Sequence, residues 1–419
     1  MPIGALGQRP RPSPPPIASA GESFALAAFL ADWSDCPCQV LAASDSQALP
    51  PATLLRLAEP DDLDRLRRVG LGYTDPRGAP WLRATIAARY AGLGADDVLA
   101  CAGAQEALTC TMRALLAPGD HAVVVLPIYH PSERAVTALC AATGVPLDPA
   151  AEGWRLDLDR LAAALRPDTR LVLANFPNSP TGAPIDGATL ERLVALCRGR
   201  GLWLVNDEVY RQTDETRGQG EGAPPAVDAY ERGISINGLS KGFGLPGLRV
   251  GWIACRDRSV LARALAAKSE LSSCLAGPSE VLARIALTAE ARVTGWTRAI
   301  AGRNRRRLHA LLARHPELFA PDGSRNLAFA FPRVLGAEGA EGFARRLARE
   351  AGLLVLPSTL WRSDLAPTPV DRLRLGLGQA GSGAAIGRLG AYLRAGAPVR
   401  ARGSVSRARP LDPLGRWRG

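Results

Sequence analysis

Short apolar runs alternate with helix-length stretches through most of this chain, and that alternation narrows the fold more than any other feature. Val98 to Ala102, His121 to Leu126, Arg170 to Asn175 and Leu202 to Asn206 are near-continuous apolar segments bounded by turn residues. Between them lie Gln105 to Leu116, Glu133 to Ala142 and Asp186 to Arg198, each of helical length. A strand that does not alternate with polar residues is covered on both faces. The sequence therefore predicts an α/β fold, a large domain with a mostly parallel sheet flanked by helices. Past about residue 294 the texture changes to one long helix, Trp296 to Arg314, then to shorter strands and helices ending near Leu393. That predicts a second, smaller α+β domain. The expected organisation is a disordered arm over 1–22, a segment over 23–55 that packs on the small domain, the large domain over 56–290, the small domain over 291–396, and a disordered basic tail over 397–419. No internal repeat is visible.

Several function classes fall away at this level. No run of 18 apolar residues occurs, so no membrane span is expected. Arg9, Arg11 and the apolar stretch Phe24 to Ala31 imitate a signal peptide, but five prolines between them and Glu22 argue against one. The expected location is cytoplasmic. The eight cysteines include no Cys-x-x-Cys pair, and the four histidines form no metal pattern, so no metal site is expected. A formal net charge of +11 suggests nucleic acid. Its placement does not: six arginines crowd the Gly-, Pro- and Ser-rich tail, and Arg303 with Arg305 to Arg307 fit the exposed face of a helix. No aromatic-basic module accompanies them, and nucleic acid is not an expected partner.

Of the 51 basic residues only Lys241 and Lys268 are lysines. Lys241 lies in Asn237-Gly-Leu-Ser-Lys241-Gly-Phe-Gly-Leu-Pro-Gly-Leu-Arg249-Val-Gly-Trp252. Gly242, Gly244 and Gly247 match a dinucleotide fingerprint, yet they precede a strand instead of opening a helix, and context rejects that reading. They read better as backbone passing close to a bound group. An amine there can form a Schiff base with an aldehyde, while Ser240 and Arg249 can hold a phosphate. Upstream, the strand Leu202 to Asn206 runs into Asp207, Glu208 and Tyr210, and α/β folds place ligands at the carboxyl ends of sheet strands. Asn175-Phe-Pro-Asn178-Ser179-Pro-Thr-Gly182 is a polar turn after another strand. Gly103-Ala104-Gln105 opens a helix whose free amides would attract a phosphate. Lys268 is expected on a helix surface or in a contact the sequence does not reveal.

Taken in this order, these segments resemble the fold-type I pyridoxal-phosphate (PLP) enzymes, the class I/II aminotransferase superfamily, over roughly residues 70 to 378. The resemblance implies that Lys241 holds pyridoxal 5'-phosphate as a Schiff base and then moves protons as acid and base. Asp207 would pair with the pyridine nitrogen, Tyr210 would bond the phenolic oxygen, and Tyr129 would stack on the ring. The amides of Ala104 and Gln105, with Ser240 and Arg249, would bind the phosphate. Tyr73 matches a tyrosine that reaches the neighbouring subunit's phosphate, which implies a homodimer with shared active sites. Arg374, in Leu373-Arg374-Leu-Gly376, matches the arginine that clamps the substrate carboxylate. His130 is read as a structural residue at a helix start.

Two positions depart from the pattern. The family usually reads Asn-Pro-Thr-Gly where this chain has Ser179-Pro-Thr-Gly182, with Asn178 one residue earlier. Three residues before the lysine, where many relatives carry a phosphate-binding serine, stands Gly238. Amino transfer is the leading reaction. Elimination, replacement or cyclisation is the alternative, favoured by a looser likeness of Phe29 to Trp33, Leu54 to Leu57 and Arg374 to Gly378 to a capreomycidine synthase-like subset of secondary metabolism. A PLP-binding transcription regulator is disfavoured, because only about 50 residues precede the fold and such regulators need a DNA-binding domain there. Loops such as Arg211 to Ala223 would carry substrate specificity, with no readable code.

Overall fold

A computed structural model describes residues 25–33, 38–150, 153–215, 222–321 and 323–395. The expected arm over 1–22 and the tail over 397–419 lie outside the described residues. Residues 25–33 belong to a separate unit, a short helix Ala25–Ala31 with Phe29 tilted against Trp33 at 6.4 Å between ring centroids.

The larger unit is built on seven strands: β1 (Val98–Cys101), β2 (His121–Leu126), β3 (Ala141–Pro146), β4 (Thr169–Asn175), β5 (Trp203–Asp207), β6 (Gly233–Gly238) and β7 (Gly251–Cys255). They lie in the order β1-β7-β6-β5-β4-β2-β3. Only β7 runs against its two neighbours; every other pair is parallel. All six residues of β2 are buried, as a strand covered on both sides requires. Val124, Leu173, Val205 and Ile236 fill one face together with Leu108 and Met112 of helix α1 (Ala104–Leu115). Val123, Val125, Val172 and Leu204 fill the other with Leu190, Leu193 and Val194. Each such side chain contributes about 1.5–3 kcal/mol of burial. His121 opens β2 fully buried, its two ring nitrogens bonded to Thr169 and Thr143 at 2.8 and 2.9 Å, and burial lowers its pKa.

The sequence placed a helix over Glu133 to Ala142; the helix, α2, is His130–Thr137, and Ala141 and Ala142 begin the edge strand β3. Gly144 lets that strand press against Leu126 and Leu365, where any side chain would collide. The long helix starts earlier than expected, at Glu290, and ends at Leu312. Around it a second apolar cluster gathers Leu308, Phe319, Phe343, Leu347, Leu375 and Ile386. Gln39 and Val40 pair in parallel with Leu353 and Leu354 of this part, and Leu41 is buried in its core.

Lys268 is not on a helix surface. It lies near the end of the helix α3 (Arg258–Ser269), 0% exposed, and its ammonium donates to the carbonyl of Pro76. Burial raises the carboxyl of Glu280, opposed by the Ala79 N–H it accepts at 2.9 Å and by the charge of Lys268. Lys268 and Glu280 thereby hold the loop over 73–79 at its middle and at its far end. Thr74 donates to the Leu275 carbonyl at 2.8 Å in the same loop. Helical spacing gave no warning of this, because the partner carbonyl is 192 residues away.

Candidate active site

Parallel strands end on the same edge of a sheet, so their following loops meet there. Register puts Asn175 of β4 beside Asp207 of β5, and Asp207 beside Ile236 of β6. The antiparallel β7 begins at that edge too, with Gly251 opposite both Gly238 and Cys101. Four loops therefore converge: 102–104 into α1, 175–182, 207–213 and the Lys241 turn.

The first builds an anion site. Gly103 precedes α1 with φ 97, a left-handed conformation that suits glycine. The first-turn N–H groups of α1 have no helical acceptor. Arg249, itself left-handed at φ 52, donates to the carbonyls of Ala102 and Pro246, both at 3.2 Å. A Cβ on Gly103 would come within 2.5 Å of the Arg249 guanidinium. The side chain of Gln105 turns away to the Pro131 carbonyl at 3.4 Å, leaving its amide to face an anion. Gly238 now has a reason: a Cβ there would lie 3.0 Å from the Val250 carbonyl and 3.6 Å from the Ala104 methyl. The crowding comes from the chain entering β7, where the Gly251 Cα would lie 3.2 Å away, while the contact to helix α1 is an ordinary one. Ser240 is half-buried, with no hydrogen bond to its hydroxyl among the described residues.

Asp207 closes β5 and is aimed into the cleft. Its Oδ1 accepts from the Val209 N–H at 3.2 Å, and its carbonyl accepts from Asn175 at 2.7 Å. Strand alternation turns Glu208 the other way, into a buried network with Ser235, Ala226 and Asn206. Burial raises the carboxyl of Asp207 to about 6, against the pull of the Val209 N–H and Lys241, with Glu208 adding to the rise. The unfolded value is near 3.8. Between those limits the folded chain binds more protons than the unfolded one, so stability falls as pH rises and the deficit is complete above 6. It amounts to at most about 3 kcal/mol. In the PLP-free protein, Asp207→Asn is therefore expected to raise Tm at pH 8 and to lose that gain towards pH 4. A gain as large at pH 4, measured by thermal melts, contradicts this account.

Lys241 Nζ lies 5.8 Å from the ring centroid of Tyr210 and donates to Ser44 Oγ at 3.1 Å. Tyr210 is buried, edge-on to Phe329 at 5.2 Å. Tyr129 follows β2 at the start of α2. Burial raises its phenol, while the charges of Lys241 and Arg374 pull it back and Tyr210 adds to the rise. Those couplings place Tyr129, Tyr210, Lys241 and Arg374 in one electrostatic neighbourhood. The polar turn resolves into two roles. Asn178 is fully buried and committed, donating to the Pro127 carbonyl at 3.0 Å and accepting from Thr181 at 2.7 Å. Ser179 takes its position from Asn175, which accepts its N–H at 2.8 Å, and its hydroxyl has no hydrogen bond among the described residues.

Arg374 lies on β8 (Leu373–Gly376) and is 5% exposed. Its guanidinium packs over Trp361 at 4.6 Å and Phe329 at 5.7 Å. It donates to the Ala42 carbonyl at 3.1 Å, yet its Nε is buried without a partner and it forms no ion pair among the described residues. Burial pulls its pKa down, opposed by Tyr210, Asp45 and Tyr129. A buried guanidinium with an orphan donor is completed by an anion, and a carboxylate fits its two-pronged geometry. Tyr73 does not join this cluster; it is 95% exposed. Sequence reading missed Ser44, Asn175, Phe329 and Trp361. Only Asn175 had a local sign, as the last residue of an apolar strand.

The donor set fits PLP on its own chemistry: an anion cradle, a carboxylate for a ring nitrogen, an amine for the aldehyde and a guanidinium for a carboxylate. The comparisons agree. The family model for aminotransferase class I and II matches residues 43–381. The chain is 33% identical to arginine–pyruvate transaminase AruH of Pseudomonas aeruginosa, over 81% of this chain and 85% of that protein. It is 32% identical to capreomycidine synthase of Streptomyces vinaceus, over 79% of this chain and 80% of that one. A PLP-dependent aminotransferase of Streptococcus suis shares the fold with a TM-score of 0.80 at 24% identity, covering 90% of this chain and 99% of the other.

Proposed function

The chain belongs to the class I and II aminotransferases, with PLP as its cofactor, and from that premise we infer that it moves the amino group of an L-α-amino acid to a keto acid at the Lys241–Arg374 cleft. When bound, PLP supplies an electron sink for the substrate's α-carbon. The chain supplies the rest. The guanidinium of Arg374 binds the substrate α-carboxylate, and that buried guanidinium, with its Nε left without a partner, is the observation that carries this reading. Lys241 Nζ takes the α-proton and delivers it again. Asp207 keeps the ring nitrogen protonated, Tyr210 and the Ser179 hydroxyl donate to the phenolic oxygen, and Tyr129 covers the ring. The amides of Ala104 and Gln105, with Ser240 and Arg249, hold the phosphate. Similarity to arginine–pyruvate transaminase makes L-arginine with pyruvate the first pair to test.

A second reading, elimination or cyclisation in secondary metabolism, is supported by the similarity to capreomycidine synthase and by Ser179 in place of the family's asparagine. One experiment separates the two. Amino acids, L-arginine first, are incubated with the PLP-loaded protein with and without pyruvate. Amino transfer is expected, with alanine formed only when pyruvate is present; sustained turnover without a keto acid supports the second reading and overturns the first. The exposure of Leu71 and Tyr73, at 93% and 95%, supports a homodimer in which Tyr73 reaches the other subunit's phosphate. The same preparation is expected near twice 44.2 kDa by light scattering.

A further inference from the structure

We propose that Ser44 holds the free Nζ of Lys241 in line for its bond to the cofactor's aldehyde carbon, and so acts as a positioning residue for the lysine. The inference rests on the assignment of Lys241 above. Its observation is the 3.1 Å hydrogen bond from Nζ to Ser44 Oγ, made across 197 residues of sequence.

The backbone around Ser44 is fixed from two sides. Towards the small domain, the Leu41 carbonyl accepts from the Gly376 N–H at 3.0 Å, the Ala42 carbonyl accepts from Arg374, and the Gln47 N–H donates to the Gly378 carbonyl at 2.8 Å. Towards the large domain, the Ser46 N–H donates to the Lys241 carbonyl at 3.3 Å. Glycines line both sides of the segment. A Cβ at Gly376 would strike the Ala43 carbonyl, one at Gly378 would lie 2.5 Å from that of Asp45, and one at Gly244 would strike that of Gln47. A segment packed this closely cannot shift without moving β8 or the lysine turn, so the hydroxyl is a fixed point.

A fixed acceptor matters because a lysine side chain is long and rotamer-rich. Once Nζ has given its third proton to solvent, the amine that donates one N–H to Ser44 has its lone pair free and its direction set. The lone pair forms the C–N bond to the aldehyde carbon while the carbonyl π electrons move to oxygen. Nζ then gives up two hydrogens, the C=N bond forms, and the oxygen leaves as water. When a substrate amine takes over that bond, the released Nζ returns to the same hydroxyl, two residues from the carbonyl that holds Arg374.

The test needs no substrate. PLP is added to PLP-free protein and the growth of the visible band is followed by stopped flow. Ser44→Ala and Ser44→Gly are expected to form it about tenfold more slowly, the scale of one lost side-chain hydrogen bond. Ser44→Thr, which keeps the hydroxyl, should stay within about threefold of the parent. Pyridoxine 5'-phosphate, which lacks the aldehyde, should bind all four proteins equally, because the anion cradle is untouched. Parent-like rates in the alanine and glycine variants overturn the proposal. So does a loss of pyridoxine 5'-phosphate affinity that accounts for the slowing, or a threonine variant as slow as alanine. Lys241→Ala should give no band; a band there would remove the lysine assignment, a failure separate from that of Ser44.

Discussion

Lys241→Ala is expected to abolish the visible band of the PLP-loaded protein and to cut turnover by about 10⁴-fold, the upper range for a positioned acid–base group. The chain makes this test unusually clean, because it has only one other lysine. Lys268 is fully buried and bonded to the Pro76 carbonyl, so it is not placed to substitute. Lys241→Arg should fail as fully as alanine, since a guanidinium stays protonated and offers no nucleophilic lone pair. Absorbance spectra and single-turnover rates of the two variants check this. A surviving band in both would move the covalent attachment away from Lys241.

The second large effect concerns stability. Lys268→Met should destabilise the PLP-free protein by about 1–3 kcal/mol, because it leaves the Pro76 carbonyl without its donor and removes a charge that favours the Glu280 carboxylate. The double variant Lys268→Met with Glu280→Gln should recover only the part of that loss due to Glu280, since an amide can still accept from the Ala79 N–H without carrying charge. Urea unfolding of the four proteins completes the cycle. A single variant within about 1 kcal/mol of the parent would mean that the ammonium and the carboxylate are not coupled.

Lys241, Asp207 and Arg374 were readable because each sits in a local pattern whose glycines, strand ends or flanking apolar residues survive in one dimension. The sheet was readable for the same reason: β2, β4 and β5 are continuous apolar runs. Gly144 and the two alanines at the start of β3 carry no such signal, and an edge strand beside a helix end was taken for more helix. Ser44 and Trp361 were invisible for a different cause. Ser44 takes its role from Lys241, 197 residues away, and Trp361 takes its role from Arg374 beyond an irregular loop, so neither contact follows a helix or strand period. Of the two expectations for Lys268, the helix surface fails and the hidden contact holds, with a partner 192 residues away.

The segment over 41–47 carries a consequence for how the chain is made. Ala42 leaves the ribosome well before the arginine that bonds to its carbonyl, which is 332 residues behind it. At about 5–20 residues per second, that wait is roughly 20–60 s. Until then the nascent chain can complete its sheet and shape a phosphate cradle, while the serine that steers the lysine is held only from the lysine turn and lacks its anchor on β8. The reactive amine thus comes under full control only after Arg374 and β8 have been made.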